Sequence, residues 1–280
     1  MRASLLQMTA SDAPPENARL LCEAVAAAKM AGAEILLTPE VSNCVSTDRA
    51  HQHAVLRPEA QDETLAALRA AAAKQDIWVL LGSLALCAEG GPVPFVNRSF
   101  LIDPAGAIRA RYDKMHMFDV SLSPTESYRE SSGYAPGDRA VLCETPWGLA
   151  GLTICYDLRF PHLYRALAQA GAEIIFVPSA FSVPTGQAHW ETLLRARAIE
   201  NGCFILAPAQ TGLHPARSGK ERTTYGHTLA VGPWGEVIAD AGELPGLTHV
   251  TLDLDQVKEA RKRVPSLGHD RDFALIHHQG

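Results

Sequence analysis

The chain has 280 residues, 47% of them hydrophobic and 20% charged, with a formal net charge of −6. Such a make-up is that of an ordinary globular protein, long enough to bury a large core without disulfides. The slight acidic excess and the lack of a long basic run argue against nucleic acid or an anionic membrane surface as a partner, and no apolar run approaches the roughly 18–20 residues of a membrane span.

Residues 3–9, within MRASLLQMTASD, read as a first strand and not as a signal peptide. An Ala-rich helix is predicted over 16–30, ended by Gly32, followed by the apolar strand in AGAEILLTPE, with Glu40 just after Pro39. His51 and His53 form a two-spaced pair without a third ligand and read as solvated loop residues, so no metal is expected. A second helix is predicted over 62–75 with Asp62 as its cap, then a buried strand at 77–83. Residues 97–114 read as a hairpin turning at Asp103-Pro104-Ala105-Gly106 and leading to Lys114.

The second half repeats this order. An apolar strand, Leu149 to Ile154, runs into Cys155 and the kinked exit at Pro161, followed by a helix. AGAEI recurs at 170–174 and leads to Pro178-Ser179, at the offset of Pro39-Glu40 from the first copy. A helix over 189–201, a strand over 203–209 and a hairpin over 226–240 turning at Gly232-Pro233-Trp234-Gly235 complete the match. These features predict a duplication of about 110 residues per half, with pseudo-repeats near 1–115 and 145–250 of one domain spanning 1–280. Two sheets, each covered by helices on one side, pack face to face as a four-layer α-β-β-α sandwich of the α/β class. The charged tail 253–280 has little core of its own and is expected at a dimer interface.

Cys22, Cys44, Cys87, Cys143, Cys155 and Cys203 are widely spaced and never form CxxC. Neither a zinc site nor a disulfide framework is signalled, and a reducing cytosol is the simplest compartment. In the sandwich, Glu40, Lys114 and Cys155 each fall at the end of a core element. Alone, each has a bland reading: a solvated loop acid, one half of a surface ion pair with Asp113, and a buried core thiol. Brought together, a carboxylate, an ammonium and a thiol suit acyl transfer. The carboxylate takes the thiol proton, and the ammonium lowers the thiol pKa and stabilises an oxyanion.

The stretches LLTPEVS around Glu40, YDKMHMFD around Lys114 and LTICYDLRFP around Cys155 resemble the three catalytic blocks of the nitrilase superfamily, the carbon–nitrogen hydrolases. The resemblance covers essentially the whole chain. It implies the α-β-β-α fold in a homodimer or larger assembly, an amide substrate and no cofactor. It also implies Glu40 as general base, Cys155 as nucleophile, and Lys114 as oxyanion stabiliser with the backbone N–H of Tyr156. In YRESSGYAPGD it places a second glutamate on Glu130, to orient Lys114 or the substrate amide. Thr38 replaces a bulkier residue before Pro39, and Met115 and Met117 flank His116, to which no catalytic role is given.

Segment 178–201, TYGHT and GPWGEVIA resemble the Nit branch; AFSVPTG and TGLHPARSGKERTTYGH are similar to amidases of deaminated glutathione more than to omega-amidases. Both substrates are carboxylate-bearing 2-oxo acid amides, so cations are expected near the pocket: Arg159, with Arg195 and Arg197 as further candidates. Arg217, Lys220 and Arg222 of the insertion are candidates for a distal carboxylate. Phe181, Val183 and Thr185 follow the strand ending at Pro178 and are expected to line the acyl pocket. The same triad also serves omega-amidases on 2-oxoglutaramate and N-carbamoyl amidases, and the fold alone could serve as a non-catalytic scaffold.

Overall fold

Short apolar runs form the centre of each sheet, and the polar residues that follow them gather at one edge of the sandwich. The computed structural model describes residues 1–90, 93–124 and 126–278. The first half contributes β1 (Arg2–Gln7), α1 (Pro14–Met30), β2 (Ile35–Leu37), α2 (Arg49–Val55), α3 (Glu63–Gln75), β3 (Trp78–Cys87), β4 (Phe95–Ile102) and β5 (Ile108–Asp113). The joining stretch holds β6 (Asp119–Ser123), β7 (Glu126–Arg129), β8 (Tyr134–Ala135) and β9 (Val141–Thr145). The second half contributes β10 (Gly148–Leu152), α4 (Pro161–Gln169), β11 (Ile174–Phe176), α5 (Val183–Asn201), β12 (Phe204–Ala207), β13 (Thr211–His214), β14 (Arg222–Tyr225), β15 (Leu229–Val231) and β16 (Val237–Asp240). β17 (Gly246–Thr251) and α6 (Asp255–Arg263) follow, with a 3₁₀ turn at Ser266–Gly268 beyond them.

The strand orders make the duplication plain. One sheet runs β17-β1-β2-β3-β4-β5, with β8 beside β4; the other runs β9-β10-β11-β12-β15-β16. In each, three central strands are parallel and the flanking ones antiparallel. The last strand of the second half, β17, crosses back to pair with β1. Alternation along the strands builds the layers. Leu5, Ile35, Leu37 and Leu80 face the second sheet, whereas Leu6, Leu36, Val79 and Leu81 pack under α1 and α3. The predicted turns form as read: Asp62 caps α3 by accepting from the Leu65 N–H, and Gly106 closes the β4–β5 turn at φ +75°.

Glycine is required at position 82. A Cβ there would lie 1.9 Å from the Thr38 carbonyl oxygen and 2.5 Å from Pro178 Cβ. The two Pro-containing strand exits, one from each half, therefore meet over Gly82.

Four elements differ from the sequence reading. α2 carries His51 and His53 as a helix because Asp48 accepts from the N–H groups of Ala50 and His51; His51 then bonds the Asp12 carbonyl and His53 packs on Phe95. α5 starts at Val183, six residues before the predicted start, because Gly186 lets the helix pass against the Tyr225 ring. The polar stretches 119–129 and 211–225 are the hairpins β6–β7 and β13–β14. The C-terminal segment forms the charged helix and tail read there, but the helix has more core of its own than expected. α6 buries Val257 and Ala260 on its own chain, while Phe273, Leu275 and Ile276 beyond it stand 88%, 92% and 72% exposed. Among the described residues no helix is long and apolar enough to cross a membrane.

Candidate active site

Strand ends from both sheets deliver the polar residues to one place. Glu40 follows β2, Lys114 follows β5, and Cys155 follows β10, the counterpart of β1. Lys114 Nζ donates to Glu40 Oε1 at 2.8 Å and to Glu130 Oε1 and Oε2 at 3.1 and 2.9 Å. Cys155 lies beside Glu40, close enough for each to shift the other's ionisation. Glu130 lies at the base of the β6–β7 hairpin, where its Oε2 also accepts the Phe118 N–H at 2.6 Å. All four residues line one cavity of 590 Å³.

The backbone is bent to present them. Cys155 sits at φ +48° at the start of a 3₁₀ turn, Cys155–Arg159, and its N–H is tied to the Pro178 carbonyl at 3.0 Å. A non-glycine residue in the left-handed region is strained, and such strain gathers at functional sites. Val41, just after Glu40, is also left-handed at φ +46°, with its N–H held by Ser83 Oγ at 2.8 Å. Tyr156 is the second residue of the 3₁₀ turn, and among the described residues its N–H donates to no protein group. That is the state of a first-turn N–H available to an anion.

The electrostatics give each group a definite resting state. Burial alone would raise the Glu40 carboxyl, but the Lys114 ammonium and its hydrogen bond hold it below the usual carboxylate range. Burial would likewise discharge Lys114, which is 2% exposed; Glu130 and Glu40 keep it charged well above its ordinary value. The Cys155 thiol is pushed up, first by burial and then by the Glu40 carboxylate, and Lys114 offsets only part of this. The ammonium does lower the thiol as expected, but burial and the Glu40 carboxylate outweigh it. One ammonium is shared between two carboxylates, so the thiol meets no net positive charge. It rests as S–H beside an ionised base.

Phe181, Val183 and Thr185 line the cavity with Tyr156. Arg159 is not in the lining: its guanidinium stands behind the wall, 5.9 Å from the ring centroids of both Tyr156 and Phe181, and near His189. Arg195 and Arg197 do not reach the cavity either. Arg195 bonds the Gly235 carbonyl, and buried Arg197 bonds the Leu158 carbonyl at the end of the 3₁₀ turn. Of the insertion's cations, Lys220 and Arg222 line the cavity, while Arg217 is drawn off to Glu16. Arg222 is pinned by the Ala180 carbonyl at 2.6 Å and lies over the Tyr128 ring.

Sequence reasoning missed Asn97, whose Nδ2 donates to Glu40 Oε1 at 2.9 Å and whose carbonyl accepts the Lys114 N–H. The available signal was an amide inside the apolar strand FVNRSF, where a buried polar group needs a reason. Arg49 and Tyr134 of the lining were missed too. Among the described residues no group of three or more His, Cys, Asp or Glu could hold a metal ion.

A sandwich of two like-ordered sheets with a carboxylate, an ammonium and a thiol at one edge is equipped for acyl transfer from an amide. The sequence profile of the carbon-nitrogen hydrolase family matches residues 2–262. This chain belongs to that family and is a hydrolase of C–N bonds other than peptide bonds, an amidase. It is 40% identical over 245 residues to a deaminated glutathione amidase of Yersinia enterocolitica, covering 86% of this chain and 82% of the relative. Among solved structures, the C. elegans NitFhit protein superposes with a TM-score of 0.86 at 35% identity; the match covers 96% of this chain and 65% of that longer one. A mutant amidase of Nesterenkonia sp. AN1, with acrylamide added at its active-site cysteine, superposes with a TM-score of 0.75 at 28% identity, covering 95% and 98% of the two chains.

Proposed function

We propose that the enzyme hydrolyses a carboxylate-bearing 2-oxo acid amide through a thioester on Cys155, with deaminated glutathione as the best-fitting substrate. The cavity carries this reading. Its floor holds Glu40, Lys114 and Cys155, and its 590 Å³ run out to Lys220 and Arg222. Such a volume accommodates a peptide amine as leaving group, far larger than ammonia. The name borne by the Yersinia relative points the same way.

In this reading Glu40 takes the Cys155 proton as sulfur attacks the amide carbon. The carbonyl oxygen gains the negative charge and is held by Lys114 Nζ and the Tyr156 N–H. The C–N bond then breaks, and Glu40 passes its proton to the leaving amine. Glu40 next takes a proton from water, the hydroxide attacks the thioester, the C–S bond breaks, and the proton returns to sulfur. Glu130 holds Lys114 in place, joined to it by two hydrogen bonds. Phe181, Thr185 and Tyr156 contact the acyl group, and Arg159 fixes the two rings from behind. Lys220 and Arg222 take the distal carboxylate.

An amide panel tests the substrate: deaminated glutathione, 2-oxoglutaramate, 2-oxosuccinamate and an N-carbamoyl amino acid. The highest kcat/KM is expected for deaminated glutathione, and Lys220→Ala with Arg222→Ala should raise KM for it alone. A preference for 2-oxoglutaramate, with KM unmoved in the double variant, would assign the enzyme as an omega-amidase.

The assembly is a homodimer in this reading, because the exposed Phe273, Leu275 and Ile276 suit a second copy of the chain. Light scattering should give twice the chain mass for the intact protein and a lower mass after removal of residues 270–280; an intact monomer overturns the assignment. The six thiols are free and suit a reducing cytosol; cell fractionation that finds the protein elsewhere would reject that location.

A further inference from the structure

Asp157 is completely buried, and its carboxylate accepts four hydrogen bonds. Oδ2 takes the Tyr112 hydroxyl at 2.7 Å and the Ile154 N–H at 2.8 Å. Oδ1 takes the His116 N–H at 3.1 Å and the His116 ring through Nδ1 at 2.7 Å. A carboxylate only accepts, so the ring nitrogen facing it carries the proton. Four donors saturate the carboxylate's lone pairs.

The placement of these donors is what matters. Tyr112 precedes Lys114 by two residues, and His116 follows it by two. Ile154 precedes Cys155 by one, and Asp157 follows it by two. Lys114 follows a strand of one sheet, and Cys155 follows a strand of the other. A single buried carboxylate thus joins residues on both sides of Lys114 to the stretch on both sides of Cys155. His116 is fixed further by stacking on Phe160, 3.5 Å between centroids at 9°.

We propose that Asp157 is a positioning residue that sets the distance between the Lys114 ammonium and the Tyr156 N–H, with Tyr112 and His116 as its arms. It rests on the reading of Lys114 and Tyr156 as the oxyanion site. Two sheets meeting through apolar side chains can shift against each other by a fraction of an ångström at little cost. A catalytic constellation tolerates only about 0.5 Å, and a 1 Å misplacement costs roughly 10²-fold in rate. An ionic clamp beside both residues removes that slack, because charge-assisted hydrogen bonds are short and directional. It also holds the strained Cys155 in its left-handed conformation, since the Ile154 N–H and the Asp157 side chain close a loop across it.

The test uses the amide of the panel that the wild-type enzyme turns over fastest. Tyr112→Phe and His116→Ala each remove one side-chain donor and leave the carboxylate with three. Each is expected to lower kcat by roughly tenfold or more with KM within twofold, since a misplaced oxyanion site weakens the transition state alone. The same two changes made in Lys114→Ala should have almost no further effect, because the arms act through Lys114. Wild-type kcat in both single variants overturns the proposal. So does an equal fold-loss in the presence and absence of Lys114, which is the mark of general destabilisation. If Lys114→Ala by itself keeps normal kcat, the oxyanion reading fails first, and that outcome is separate from either result for the clamp.

Discussion

Glu40→Gln is expected to abolish turnover, with a loss on the order of 10⁴–10⁶ in kcat, the scale seen when a member of a nucleophile–base unit is removed. Glutamine keeps the shape and can still accept from Asn97 and Lys114, so the fold is retained. What disappears is the carboxylate beside the Cys155 thiol. Because the wild-type thiol is raised, attack requires the proton to leave during the step, and no other base touches it. The pH dependence follows with a definite sign. Glu40 lies below the usual carboxylate range, so wild-type kcat/KM should hold through that range and fall only as pH drops through the lowered value. Labelling of Cys155 by iodoacetamide should show a midpoint well above neutrality in the wild type. In Glu40→Gln that midpoint should move down, since the carboxylate that raises the thiol is gone. A wild-type midpoint below pH 7, or near-normal turnover by the glutamine variant, would contradict the resting state described above.

The resting state of the thiol was not legible in the sequence, although the thiol was. Cys155, Glu40 and Lys114 stand at strand ends within distinctive local stretches, and repetition of AGAEI with a Pro four residues on exposed the duplicated sheet order. Period and punctuation suffice for that much. The sign of the thiol shift depends on how many charges surround it and how deeply it is buried, and both are properties of packing. Glu130 shows the same limit: it lies in a polar stretch with no periodicity, and only resemblance picked it out. Asn97 and Asp157 were invisible for a further reason. Each does its work through partners dozens of residues away in sequence, Glu40 for the first, Tyr112 and His116 for the second. The hairpins β6–β7 and β13–β14 are polar and bind mainly to themselves, so no hydrophobic alternation announces them. They nevertheless carry Glu126, Ser127, Tyr128, Arg129, Arg222 and Thr223 into the cavity wall.

Lys114→Ala should lower kcat by at least about 10²–10³, the usual effect of losing one oxyanion donor, and the structure argues for more than that. Lys114 is the shared partner of Glu40 and Glu130, and its ammonium is the chief reason that buried Glu40 stays ionised. Without it, desolvation of Glu40 goes unopposed by its main cation, and Glu130 loses the same partner. The carboxyl of Glu40 then rises and binds a proton at pH values where the wild-type base is free. The variant therefore loses the oxyanion donor and, over a range of pH, the base as well. Its residual activity should show an acid limb displaced to higher pH than the wild type's, so that raising the pH recovers part of the loss. Removing one member of a buried ion pair commonly destabilises by about 3–5 kcal/mol. Here protonation of Glu40 relieves part of that, and the loss of thermal stability should shrink as pH falls. Three measurements check this: kcat, the position of the acid limb, and the melting temperature against pH. A variant with lowered kcat but an unmoved acid limb would mean that Arg222 or Asn97, not Lys114, keeps Glu40 ionised. A variant with near-normal kcat would remove Lys114 from the reaction altogether.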